Sequence, residues 1–149
     1  MNRDIRQSFN EVTVCNSEPE TEAFGLRLSG VLEAGDVVAL TGDLGAGKTT
    51  LTKAIARGLG VRETVTSPTF MILKEYRSGQ LPLYHFDVYR LQSAEDLYDI
   101  GGDEYFDGDG VCIVEWADIV REAIPEDALW IRVGYGDEEE TRIYTICNQ

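Results

Sequence analysis

The chain is poor in cysteine, histidine and basic residues, and it has no long apolar run. Three cysteines stand among 149 residues. They are Cys15, Cys112 and Cys147, an odd number, far apart and with no CxxC pair. This argues against a disulfide framework and against a cysteine-based zinc site, and it fits a reducing, cytoplasmic setting. No stretch approaches the roughly 18 apolar residues of a membrane span. Residues 1–10 are polar and hold no apolar signal core, so secretion is not expected. Lys and Arg number 13 against 27 Asp and Glu, a formal net charge of −14. Such a surface repels phosphate backbones, so tight direct binding of DNA or RNA is not expected. A local site for a small anion survives this argument, because backbone amides and one lysine are enough to build it.

With 43% apolar residues and no repeat, low-complexity stretch or linker, residues 1–149 read as one domain. Residues 8–14 look like a short strand. Ser17 precedes Glu20 by three, the spacing of a capping box, with Pro19 in the first turn; Phe24, Leu28, Val31 and Leu32 continue at helical spacing. Residues 37–41 form an uninterrupted apolar run of the kind that suits a central parallel strand. A glycine-rich turn over 42–47 and a helix over 48–59, stopped by Gly60, follow. Residues 69–76 and 83–89 read as strands joined by a turn at Ser78-Gly79. A helix begins near Ser93 and runs through Leu97 and Ile100. Residues 101–110 form a Gly/Asp-rich loop with one helical turn at 104–106. Residues 111–114 are a second apolar strand ending in Glu115-Trp116. A helix over 118–123 stops before Pro125, and residues 129–135 and 141–147 suggest a terminal hairpin with an acidic tip. The alternation predicts an α/β fold with a mostly parallel central sheet.

The chemistry centres on Gly42-Asp43-Leu44-Gly45-Ala46-Gly47-Lys48-Thr49, a full G-x-x-x-x-G-K-[ST] match between an apolar strand and a helix. Glycines let the backbone curl into a ring of N–H donors, and the following helix aims its positive end at the same point. Lys48 is positioned for β- and γ-phosphates, and Thr49 for Mg²⁺. The metal needs a carboxylate at a neighbouring strand end, where parallel strands open towards a ligand crevice. Asp87 and Glu115 both qualify; one would ligate the metal and the other orient the attacking water, and periodicity does not say which. Thr66-Ser67-Pro68-Thr69 brings three hydroxyls to a proline turn, suited to a γ-phosphate or its water. His85, alone on a strand, reads more readily as a hydrogen-bonded structural residue than as a catalyst. No guanine-reading N-K-x-D segment occurs, and the D-x-x-G matches at 99–102 and 107–110 are cheap in a Gly/Asp-rich loop, so ATP is favoured over GTP.

Four segments give the chain a resemblance to the TsaE (YjeE) family of small bacterial P-loop ATPases. They are the glycine loop through Thr50, Thr66-Ser-Pro-Thr-Phe70, His85-Phe-Asp-Val-Tyr-Arg-Leu91, and Val114-Glu-Trp116, with Glu104-Tyr-Phe106 in agreement. The resemblance covers nearly the whole chain. It implies a P-loop NTPase-like three-layer α/β/α fold, ATP and Mg²⁺ as ligands, and a role in threonylcarbamoyladenosine modification of tRNA. Lys48 and Thr49 would bind phosphate and Mg²⁺, and Glu115 would be the magnesium ligand. Residues 66–69, Thr66 and Thr69 among them, would form a switch-I-like loop, and Asp87 would be the switch-II-like acid. Glu18, at the start of the first helix, and the last hairpin would border the adenine. The partners implied are TsaB and TsaD, with tRNA met only indirectly, and ATP hydrolysis would reset their complex. A protein this acidic is poorly built to hold tRNA but is suited to press against a basic partner. No arginine finger is evident; Arg90 is a candidate in cis, and a partner-supplied one would leave the isolated protein a poor ATPase. The competing readings are a small-molecule kinase, for which the acidic 101–110 loop is a poor lid, and a nucleotide-gated binding module with negligible chemistry.

Overall fold

The two uninterrupted apolar runs become neighbouring interior strands, because each must bury both of its faces. The computed structural model describes residues 8–42 and 45–147. Strands β1 (Val12–Cys15), β2 (Val37–Thr41), β3 (Leu73–Tyr76), β4 (Leu83–Asp87), β5 (Val111–Glu115), β6 (Leu129–Tyr135) and β7 (Arg142–Cys147) form one seven-stranded sheet. Its order is β1-β7-β6-β2-β5-β4-β3. Every residue of β4 and β5 is buried.

The two-residue period of a strand sorts the side chains onto two faces. Val38, Leu40, Leu83, Ile113, Ile131 and Val133 pack with Phe24, Leu28, Leu51 and Ile55. The last four come from helices α1 (Glu18–Ser29) and α2 (Gly45–Gly58). The opposite face carries Ala39, Tyr84, Phe86, Cys112, Val114 and Trp130. They pack against Leu97 of α3 (Ala94–Asp99) and Val120 of the 3₁₀ segment Ala117–Ala123. Burial there pushes the Cys112 thiol up to about 12. Helices α1 and α2 lie closely on each other because Gly25 has no side chain: a Cβ there would stand 2.3 Å from that of Ala54. Among the described residues, no helix is long and apolar enough to cross a membrane.

Three expectations are corrected. The sheet is mixed rather than mostly parallel. Only β6-β2-β5-β4 run parallel, while the β1–β7, β7–β6 and β4–β3 pairs are antiparallel. The reason is connection length: β3–β4 and β6–β7 are joined by segments too short for a parallel crossover. The strand expected over 69–76 is confined to Leu73–Tyr76, because the N–H groups of Met71 and Ile72 both turn back to the Pro68 carbonyl, at 3.0 and 2.6 Å. Ile72 is left at φ 69°, a backbone position uncommon for a β-branched residue. Helix α2 also starts three residues earlier than expected, taking Gly45 into its first turn.

Candidate active site

Chain direction and glycine geometry build the centre of the site. The chain leaves β2 through Gly42, held at φ 106°. A Cβ at Gly42 would stand 2.2 Å from the Val133 carbonyl oxygen on β6, so the position needs glycine on both counts. Helix α2 then begins at Gly45 with no acidic residue in its first turn, leaving its positive end without a carboxylate of its own. Lys48 is fully buried. Its Nζ donates to the Gly42 carbonyl and lies 3.5 Å from the ring centroid of Trp116, a cation–π contact. Trp116 takes a left-handed backbone, φ 62°, directly after β5, and its ring packs 4.8 Å from that of Tyr89.

Two carboxylates approach this helix start from the sheet. Asp87 and Glu115 end β4 and β5 and are register partners across the parallel pair. By strand alternation they point, with His85, to the α2 side. Both are almost wholly buried, at 4% and 1% exposure, so their charges depend on local donors. The Thr49 hydroxyl donates to Glu115 Oε1 at 3.1 Å. His85 Nε2 meets Glu115 Oε2 at 2.5 Å. Asp87 Oδ2 accepts from Ser67 at 2.9 Å and from Thr69 at 3.2 Å, while its Oδ1 accepts from the Tyr89 N–H at 3.0 Å. The Asp87 N–H in turn donates to the Ile72 carbonyl at 2.8 Å, so the unusual backbone at Ile72 lies against the site. Tyr144 of β7 reaches the same helix start from below: its hydroxyl is 3.4 Å from the Gly47 carbonyl and 3.4 Å from Thr21 Oγ1. Burial pushes that phenol up to about 12.

The oxygen donors suit a hard divalent cation. Mg²⁺ takes octahedral oxygen ligands at about 2.1 Å, so adjacent ligands stand about 3.0 Å apart. Thr49 Oγ1 and Glu115 Oε1, 3.1 Å apart, match one such edge. The remaining positions would fall to phosphate oxygens and water, the usual pattern for this ion.

Most of the residues singled out from the sequence converge here: Lys48, Thr49, Asp87, Glu115 and Thr69. Thr66 instead donates its N–H to the hydroxyl of the core residue Tyr76 at 3.3 Å; the hydroxyl that joins Thr69 on Asp87 is that of Ser67. Asp43 and Leu44 lie outside the described residues. Glu18 and Thr50 line one groove between α1 and α2, with Glu22, Lys53, Ala54 and Arg57. The hairpin tip comes near the start of α1, where the Thr141 hydroxyl donates to Asn16 Oδ1 at 3.1 Å. Arg90, weighed as an arginine finger, stacks over the exposed ring of Phe70 at 4.8 Å. Two residues at the carboxylates were given no catalytic or ligand-holding role from the sequence. His85 is one. The other is Thr52, whose hydroxyl is 2.9 Å from the Lys48 carbonyl and 3.4 Å from Glu115 Oε2. Its spacing of three from Thr49, which sets both on one helix face, was the available signal.

Several known proteins are similar to this chain over most of its length. A Bacillus subtilis (strain 168) tRNA threonylcarbamoyladenosine biosynthesis protein TsaE is 49% identical over 124 residues, covering 83% of this chain and 77% of that protein. The Treponema pallidum (strain Nichols) protein of the same name is 49% identical over 113 residues, 76% of this chain and 83% of its own. The crystal structure of Bacillus subtilis YdiB superposes with a TM-score of 0.77 at 41% identity, covering 91% of this chain and 82% of that one. The profile described as "Threonylcarbamoyl adenosine biosynthesis protein TsaE" matches residues 15–143. With that match spanning both helix starts and both buried carboxylates, the chain belongs to the TsaE family.

Proposed function

We propose that this protein binds Mg·ATP at the start of α2 and hydrolyses it weakly alone. In this reading hydrolysis serves tRNA threonylcarbamoyladenosine biosynthesis by acting on a complex of TsaB and TsaD in the cytoplasm. The observation that carries the reading is the convergence of Lys48 and Thr49 with two buried carboxylates from adjacent parallel strands. The backbone amides of 43–47 and the positive end of α2 cradle the phosphates. Lys48 neutralises charge developing on the γ-phosphate oxygens. Thr49 and Glu115 would hold Mg²⁺, which would supply a further positive charge at the phosphates. Asp87, with Ser67 and Thr69 on one of its oxygens, orients the attacking water in line with the bond that breaks. Glu18, Thr50 and the neighbouring hairpin border the base. The net charge of −14 favours a basic protein partner over direct contact with tRNA.

Phosphate release from Mg·ATP by the pure protein, alone and with the TsaB–TsaD complex, tests this. Slow release that rises sharply with the complex is the expected result. A folded, ATP-binding protein whose release rate ignores the complex would overturn the partner-coupled reading.

A further inference from the structure

His85 is a buried side chain at the site to which the mechanism gives no task. It is fully buried, and its Nε2 meets Glu115 Oε2 at 2.5 Å. The nitrogen facing a carboxylate carries the hydrogen, so the ring donates. Its other nitrogen, Nδ1, is buried without a hydrogen-bond partner among the described residues. A side chain kept only to fill space would be poorly chosen here, since leucine or phenylalanine leaves no unmet polar atom in the core. What the imidazole gains is the bond to Glu115.

The other donors to this carboxylate are committed elsewhere. The Thr49 hydroxyl is nearer Oε1, the oxygen at the proposed metal edge, at 3.1 Å against 3.4 Å to Oε2. Thr52 has a nearer acceptor in the Lys48 carbonyl, 2.9 Å against 3.4 Å to Oε2, and a hydroxyl has one hydrogen to give. His85 is therefore the donor that fixes Oε2, and fixing Oε2 sets where Oε1 points. Strand geometry makes the brace rigid: His85 pairs with Ile113 in the parallel β4–β5 register, two residues before the Asp87–Glu115 pair. One strand thus supplies both the acid that faces the water and the brace behind the acid that faces the metal.

We propose that His85 is a positioning residue that orients Glu115 for a divalent cation. This rests on the metal reading of Thr49 and Glu115, so the test separates the two. The probe is Mn²⁺, titrated by electron paramagnetic resonance into protein saturated with ADP, with ADP affinity in EDTA measured alongside. Glu115→Gln is the control, and it should weaken Mn²⁺ binding strongly. His85→Leu should weaken it about tenfold, the scale seen when a partner of a metal ligand is lost, and leave ADP affinity in EDTA unchanged. His85→Gln carries an amide nitrogen near the Nε2 position and should restore most of the affinity. His85→Asn, whose amide falls near Nδ1, should not. The Gln/Asn pair decides the matter even if His85→Leu fails to fold. Equal Mn²⁺ affinity in the Gln and Asn variants, with Glu115→Gln impaired, overturns the role of His85. Unchanged Mn²⁺ affinity in Glu115→Gln overturns the metal reading itself, and this inference with it.

Discussion

The two long helices on one face of the sheet begin in opposite ways. Helix α1 closes its own start. Ser17 Oγ accepts from the Glu20 N–H at 3.4 Å, Glu20 reaches back to the Asn16 N–H at 3.0 Å, and Glu18 and Glu20 stand in the first turn. The reciprocal arm lands one residue before the cap, a small variation on the capping box. Helix α2 starts from a glycine turn, has no acidic residue in its first turn and has Lys48 beside it. The first helix caps its start and sets its own carboxylates against its dipole; the second has no acidic residue in its first turn to do so. In the proposed function the same local physics serves stability at one helix start and binding at the other. Tyr144 touches both, through Thr21 of α1 and Gly47 of α2.

This contrast can be broken from either side. The largest effect is expected from Lys48→Ala. Phosphate release should fall about a hundredfold to a thousandfold, the range for removing one group that stabilises transition-state charge, in a protein whose far-ultraviolet circular dichroism is retained. Near-normal turnover would remove α2 from the mechanism. Next comes Ala46→Asp, which gives α2 the kind of carboxylate that α1 already has. ATP affinity should drop at least about tenfold from like-charge repulsion, while thermal stability holds or rises by about 0.3–1 kcal/mol. Calorimetric titration and a melting curve read the two opposite signs.

Tyr144→Phe should show which helix start depends more on the shared hydroxyl. Its folded value of about 12 lies above the ordinary 10.0. The unfolded chain therefore gives up that proton first, and stability is intact below about pH 10 and drains away towards pH 12. From pH 10 to 11 this group's share of the loss is about 1 kcal/mol, which denaturant titrations of the parent should show and those of the variant should lack. The smallest effect belongs to Ser17→Ala, about 1 kcal/mol of stability for a lost cap with ATP affinity unchanged. A change in ATP affinity there would mean that the two helix starts are not independent.

How much was legible beforehand follows from how local each determinant is. The cap at Ser17, the apolar run of β2 and the carboxylates closing β4 and β5 were readable because each rests on neighbouring residues or a short period. The mixed character of the sheet was present in the two hairpins but was outweighed by the alternation of strands and helices. Residues 69–72 have the composition of a strand, yet Pro68 captures their N–H groups, a turn that composition does not announce. Among the threonines, strand-like spacing could not tell that Ser67 rather than Thr66 would face Asp87, since that depends on the path of a turn.

The chain alone supplied the chemical groups: a glycine-rich G-x-x-x-x-G-K-T segment, the lysine and threonine that end it, and two strand-end acids, each written in contiguous residues. It also determined, through the two-residue period of strands, that His85, Asp87 and Glu115 would have a shared face if their strands paired in register. Only the tertiary structure decided that register, β4 beside β5 with Asp87 opposite Glu115, and with it the 2.5 Å contact between a lone histidine and a carboxylate thirty residues away. Hydrogen bonding along a ladder is blind to side-chain identity, so pairing is chosen by burial and connection length across the whole sheet. A contact of that range has no local signature in the chain.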